Sequence, residues 1–190
     1  MRCKLMKIFF SLAVFILLLS MKSYADDLSK RKKPNILIVI ADDATYNDLP
    51  LYGGENVQTP NIDQLASEGM TFNRAYLSIS MSAPCRAELY TGLYPVRNGV
   101  CWNHAPARTD TKSIVHYLEN FGYRVGIAGK IHASPQSVFP FEKVEGLERS
   151  AGSETAKYDA SGIRRFIIRN KDQPFCLVAG LVVPHRPWSV

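Results

Sequence analysis

The chain has 190 residues, 46% of them hydrophobic and 21% charged, and a formal net charge of +6. This is enough apolar material for one domain with a sizeable core, and it excludes a disordered or low-complexity chain. The positive charge is concentrated at the N-terminus, so it does not indicate a nucleic-acid partner.

Arg2, Lys4 and Lys7 precede an apolar run from Ile8 to Leu19, and Ser23-Tyr24-Ala25 offers a cleavage site of small residues before Asp26. This is the pattern of a secretory signal peptide over residues 1–25. The run is shorter than the roughly 20 residues a spanning helix needs, so a cleaved leader is expected, with no stable membrane anchor. Its removal takes away four cations and lowers the formal charge from +6 to +2. No lipobox cysteine adjoins the site, and the expected location is periplasmic or secreted. Cys85, Cys101 and Cys176 remain, at no metal-like spacing, and their odd number leaves at least one unpaired.

A short charged linker, residues 26–33, leads to a domain read from Pro34 to the end of the chain. Asn35 to Ala41 is almost unbroken apolar sequence rich in β-branched residues, which predicts a strand buried on both faces. It ends in Asp42-Asp43. After a loop with Pro50 and Gly53-Gly54, Thr59-Pro60 opens a helix that carries Ile62, Leu65, Ala66 and Met70 at helical spacing, with Gly69 at its end. Thr71 to Leu77 reads as a second strand.

Ser78 to Pro95 then runs through Ser82-Ala83-Pro84-Cys85-Arg86 into a short helical pattern closed by Gly92. Ser82 and Arg86 fall at a helix N-terminus, where free amides and the helix dipole favour an anion; an ordinary serine-rich capping loop is the plainer reading of the segment. Pro95 to Thr109 is loop-like. Ile114, Val115, Leu118 and Phe121 mark a helix from Lys112 to Phe121, stopped by Gly122. Tyr123 to Ala128 is a short strand ending at Gly129-Lys130-Ile131-His132. A long polar connection reaches about Tyr158, and Asp159 caps a helix with Ile163, Phe166 and Ile167 facing inward. Phe175 to Val183 is another buried strand, and it delivers Pro184-His185-Arg186-Pro187.

Strands separated by helices predict an α/β fold, with a mostly parallel sheet and helices on both faces. The ends of parallel strands share one edge. Asp42-Asp43, the Ser82 segment, Lys130 with His132, and His185 should therefore converge at the carboxyl edge of the sheet, where open α/β folds hold their ligands. Adjacent carboxylates repel, and a hard divalent cation relieves this, although a loop start capped by Asp43 is an equal alternative. Both carboxylates can reach one ion only if the backbone turns at the pair. His104 and His116 are read as structural.

Ser82-x-Pro84-x-Arg86 with Thr91-Gly92-Leu93-Tyr94-Pro95 resembles the signature of the sulfatase family, in the alkaline phosphatase-like superfamily. The resemblance implies that Ser82 is converted to formylglycine by a serine-type maturation enzyme. It further implies that Asp42, Asp43 and the modified Ser82 bind one calcium ion (Ca2+). Lys130 would bind the sulfate, and His132 would interact with the formylglycine. Arg86 would anchor the sulfate or the hydrated aldehyde, and His185 would assist at the leaving oxygen. Serine stands where cysteine is commoner, and Cys85 where serine is frequent.

Arg97-Asn98-Gly99, Lys130-x-His132-x-x-Pro135 and Pro184-His185-Arg186 look most like the N-sulfoglucosamine sulfohydrolase branch. The implied substrate is a sulfated sugar or glycan, held as a sulfuric ester or sulfamate. The resemblance covers only the N-terminal part of a sulfatase, and later metal ligands of the family lie beyond it. An incomplete catalytic domain is therefore the expectation. The alternatives are a phosphatase or phosphonate hydrolase of the same superfamily, or an inactive remnant.

Overall fold

The computed structural model describes residues 32–147 and 159–184. The chain divides at Pro34 into two units, and all the elements below belong to the second, which starts at Asn35. The leader read over residues 1–25 lies outside the described residues.

In chain order the elements are β1 (Ile36–Ile40), α1 (Pro60–Glu68), α2 (Ser82–Thr91), α3 (Pro95–Asn98), α4 (Ile114–Asn120), β2 (Arg124–Gly129), β3 (Glu142–Val144), α5 (Ser161–Ile168) and β4 (Phe175–Gly180). Two 3-10 turns, Tyr46–Asp48 and Pro50–Tyr52, lie between β1 and α1. The four strands form one sheet in the order β1-β4-β2-β3, and every described pair is parallel.

Strand register sorts the core into two layers. Ile36 pairs with Cys176 and Ile38 with Val178, while Val125 and Ile127 lie opposite the same two residues from the other side. These side chains share one face, and they pack with Ala83, Ala87 and Tyr90 of α2, Val115 of α4, and Val138, Phe139 and Phe141. The opposite face carries Ala128, Val144, Leu177 and Ala179 beneath Phe166 of α5. Helices thus cover both faces, as the alternating pattern predicts.

Coverage is uneven at β1. Leu37 pairs with Leu177 and Val39 with Ala179, on the face that α5 covers further along, yet Leu37 is 59% and Val39 60% exposed. The expectation that β1 is buried on both faces is therefore corrected; β4 is the strand buried along its whole length. An apolar run records that a strand can be covered, whereas actual cover depends on how far a helix of another segment reaches.

Other expectations shift for similar reasons. Thr71 to Leu77 forms no strand, and Phe72, Tyr76 and Leu77 stay exposed. No described strand lies alongside to accept its hydrogen bonds, and strand propensity acts only through such a neighbour. Ser82 is accordingly reached from an irregular stretch, not from a strand end. The long connection after His132 contains β3, and Val138 and Phe139 are buried within it. In α5, Phe166 points inward as expected, but Ile167 lies on the exposed side.

Two polar side chains lock this arrangement. Arg124 is buried in β2, where it donates to the Phe166 carbonyl at 2.7 Å and stacks 4.6 Å from the Phe166 ring centre. Its positive charge thus sits near the C-terminal end of α5, where the helix dipole favours it. Asn98 is fully buried; its amide donates to the Leu93 carbonyl at 2.9 Å, and its oxygen accepts from the Val100 N–H at 2.8 Å.

Gly126 lets α5 lie against the sheet. A Cβ there would stand 2.8 Å from the Phe166 ring and 2.9 Å from Val144 Cγ2. Gly126→Ala should cost about 2 kcal/mol in urea unfolding, the usual magnitude for overpacking. Leu37→Ala should shift stability by less than about 0.5 kcal/mol, because its side chain is exposed. Equal losses in the two variants would contradict the uneven cover of the sheet.

Candidate active site

Three strand ends are tied together at the carboxyl edge of the sheet. The Lys130 N–H donates to the Gly180 carbonyl at 2.8 Å, Leu181 N–H to Ile40 at 2.9 Å, and Asp42 N–H to Val183 at 3.1 Å. The approach of β2 to β4 requires glycine on both strands. A Cβ on Gly129 would lie 2.3 Å from the Gly180 oxygen, and one on Gly180 would lie 2.3 Å from the Lys130 oxygen.

Asp42 sits at the centre of this edge, 3% exposed. Its Oδ1 accepts from Arg86 Nη2 at 3.1 Å and its Oδ2 from Lys130 Nζ at 2.5 Å. Arg86, 2% exposed, also donates through Nη1 to the Lys130 carbonyl at 2.8 Å. Burial works to raise the Asp42 pKa, but the hydrogen bonds and charges of Lys130 and Arg86 outweigh it and hold the carboxyl below its ordinary value. One anion is thus shared by two cations from different segments.

Ser82 opens α2 one turn ahead of Arg86. Residues four apart lie on the same helix face, so Ser82 stands on the side of α2 that meets Asp42. The first amides of a helix lack partners within it, and here Asn103 Oδ1 accepts from the Ala83 N–H at 3.0 Å. Sequence reading did not single out Asn103, because the donor it serves is distant in the chain. Cys85, in the next turn, has its thiol pKa raised by burial and by Glu88, so it stays protonated.

His132 adopts a left-handed backbone, with φ of 45°, and its Nδ1 is buried without a hydrogen-bond partner. Burial first, then the positive charges of Lys130 and Arg86, lower its pKa from the ordinary 6.5. The ring is therefore neutral at pH 7 and can accept a proton. The His104 ring centre lies 5.8 Å from that of His132, a proximity that the sequence did not disclose. His116 does have a structural place, with Nδ1 accepting the Ser113 N–H at 3.1 Å at the start of α4. His185 lies outside the described residues.

Asp43 has a φ of 60°, so the backbone turns at the acidic pair, as binding of one ion by both carboxylates requires. Each Asp42 oxygen retains a second lone pair beside its cation partner. Carboxylate and hydroxyl oxygens are the donors a hard cation prefers. The residues therefore fit calcium in kind. Among the described residues no cluster of three or more His, Cys, Asp or Glu side chains gathers to hold a metal, so the pair and Ser82 would supply only part of the shell of about six to eight oxygens that calcium takes.

The sequence matches the Sulfatase family over residues 34–190. It is 34% identical over 157 residues to an ulvan-active sulfatase of Formosa agariphila, a match covering 83% of this chain and 31% of that protein. It is 30% identical over 168 residues to human N-sulphoglucosamine sulphohydrolase, covering 84% of this chain and 33% of that one. The chain thus spans about a third of the length of these relatives. A solved structure described as in complex with its substrate, D-glucosamine-2-N,6-O-disulfate, superposes with a TM-score of 0.69 at 28% identity, covering 83% of this chain and 36% of the other. A phosphonate monoester hydrolase of Agrobacterium radiobacter superposes equally well, at 0.69, but at 22% identity it shows only a shared fold.

Asp42→Asn should lower unfolding stability by about 3 kcal/mol, since it leaves the buried Arg86 and the partly buried Lys130 without their counter-charge; an unchanged urea midpoint would overturn this account of the edge. His132 gives a pH signature. Its lowered folded pKa means that the unfolded chain takes up this proton first as pH falls below 6.5, so stability declines in the window just below that value. His132→Gln should flatten that part of the stability profile.

Proposed function

Because the chain belongs to the sulfatase family, a family of sulfuric ester hydrolases, we propose that it carries the nucleophile-bearing half-site of an exported, formylglycine-dependent sulfatase acting on sulfated glycans. The observation that supports this most directly is the buried Arg86–Asp42–Lys130 arrangement beside Ser82 at the sheet edge. It concentrates positive charge where an anionic ester would have to sit.

Formylglycine formed from Ser82 would supply a hydrated aldehyde, and with it a nucleophilic hydroxyl and a second hydroxyl for the later release of sulfate. Calcium, held by Asp42, Asp43 and residue 82, would supply positive charge for the sulfuryl oxygens and for the attacking hydroxyl. The remaining work belongs to side chains of the chain itself. Lys130 Nζ has three donors and commits one to Asp42, which leaves donors for a sulfate oxygen. Arg86 is committed to Asp42 and to the Lys130 carbonyl, so it fixes the geometry of the edge and adds charge from behind. His132, neutral and with an unpartnered Nδ1, is suited to take a proton from residue 82. His185 is proposed to protonate the leaving oxygen or nitrogen.

An N-sulfated or O-sulfated glucosamine is the substrate class we favour. It rests on the sequence pattern around Arg97, His132 and His185 and on the human relative named for N-sulphoglucosamine. The leader over residues 1–25 supports export, and among the described residues no helix is long and apolar enough to cross a membrane. The phosphonate hydrolase reading shares the fold alone.

Co-expression with a serine-type maturation enzyme should convert Ser82, read as the loss of two hydrogen atoms in the mass of its tryptic peptide. An unmodified serine would remove the proposed nucleophile. In activity assays of the protein, an N-sulfated sugar or an aryl sulfate should turn over in preference to an aryl phosphate. Ser82→Ala should reduce kcat by at least about a thousandfold, as loss of an activated nucleophile does. Preferential phosphate turnover would reject the sulfatase chemistry in favour of its phosphatase relative.

A further inference from the structure

A second cationic recess lies at the opposite end of α2 from Ser82. It has a volume of about 520 Å³, and its walls include Thr91, Arg97, Arg108, Asp110, Lys112 and Tyr117. Ser82 and Thr91 are the first and last residues of α2, so the two places are separated by roughly 14 Å along the helix axis at about 1.5 Å per residue.

The charges in this recess are unbalanced. Arg108 faces Asp110 at 3.4 Å, with both side chains mostly exposed, whereas Arg97 and Lys112 have no ion pair among the described residues. A smaller recess of about 270 Å³ between β3 and α5 provides the contrast. There Arg165 is paired with Glu145 and Arg169 with Glu142, so both arginines are already committed to carboxylates.

The cations are also held in place. Fully buried Asn98 accepts the Arg108 N–H on its backbone carbonyl at 2.8 Å, and the Arg108 carbonyl accepts from the Thr111 N–H at 3.0 Å. Gly99, with φ of 93°, lets Arg108 lie against it; a Cβ there would stand 3.0 Å from Arg108 Cγ and 3.2 Å from Arg108 N. The Arg97-Asn98-Gly99 triplet thus supplies one cation, the buried anchor and the space for a second cation. Tyr117 exposes its ring at the same wall, a rigid apolar surface of the kind a sugar face packs on.

We infer that this recess is a second sulfo-group site, which binds a sulfated glycan at a position distant from the group that reacts at residue 82. The inference rests on the sulfated-glycan reading above. Guanidinium groups match the oxygens of a tetrahedral oxyanion, and two attachment points on one polymer raise its effective concentration at the reacting end.

The test is direct binding of a heparin hexasaccharide to the full chain, alongside its desulfated counterpart and a single-stranded oligonucleotide of equal charge. Arg97→Ala combined with Lys112→Ala should weaken hexasaccharide binding about tenfold, the loss expected for charge-assisted contacts. Arg97→Glu should weaken it further. Both positions are exposed, and unchanged circular dichroism would verify folding.

The same tenfold difference should persist in a Ser82→Ala background, which separates this site from the nucleophile. Unaltered affinity in the double variant would overturn the inference, as would equal binding of the desulfated sugar. An oligonucleotide that binds as tightly and loses as much would overturn the assignment to sulfated glycans. Failure of Ser82 to mature would reject the catalytic reading and leave this binding result standing.

Discussion

The carboxylate of Asp42 is the contact on which the functional edge depends. It comes from the end of β1, and its two cation partners come from α2 and from the segment after β2. A buried anion is costly unless it is both paired and hydrogen-bonded. Here its two oxygens meet two different cations, while its own N–H donates to Val183 beyond β4. One residue, through its side chain and its backbone N–H, therefore ties three strand ends to the start of the helix that bears Ser82. In the proposed function the same arrangement would hold both cations in place before an anionic substrate arrives, so that little reorganisation is needed.

Close packing of backbone supports that contact. Gly129 and Gly180 let β2 and β4 approach until carbonyl oxygens occupy the space a side chain would fill. Lys130 follows this narrow point directly, so its backbone is fixed by Gly180 and its carbonyl by Arg86. His132, two residues later, is held in a left-handed conformation with a buried ring nitrogen. Burial and the neighbouring cations keep that ring neutral. The pKa depression and the charge cluster are thus consequences of one geometry.

In the proposed reading, the two ends of α2 serve different anionic groups. Its N-terminus faces the Asp42 edge, where a group would react, and its C-terminus joins α3 and the Arg108 loop, where Arg97 and Lys112 add positive charge that Asp110 does not balance. Asn98 links these segments by hydrogen bonds to Leu93, Val100 and Arg108. On that proposal a single helix would set the spacing between reaction and recognition.

Local pattern sufficed wherever the signal lies within a few residues. The apolar runs before Asp42 and after Gln173, the Pro84 and Gly92 boundaries of α2, and the glycine stop at Gly122 are all consequences of backbone preference and short-range periodicity. From these the parallel α/β class followed, and with it the convergence of Asp42, Lys130 and the chain leading to Pro184 at one edge. The family signature at Ser82 to Arg86 added the chemistry. Long-range partnership was not legible in the same way. That Leu37 and Val39 stay uncovered, that Thr71 to Leu77 finds no neighbouring strand, that Asn103 serves the Ala83 amide, and that His104 lies beside His132 all depend on segments far apart in the chain. Sequence by itself determined most of the helices and the strands β1, β2 and β4; the tertiary structure alone decided that Thr71 to Leu77 stays irregular, that β3 joins the sheet and which residues share a charge, because pairing energies depend on distances that no local pattern encodes.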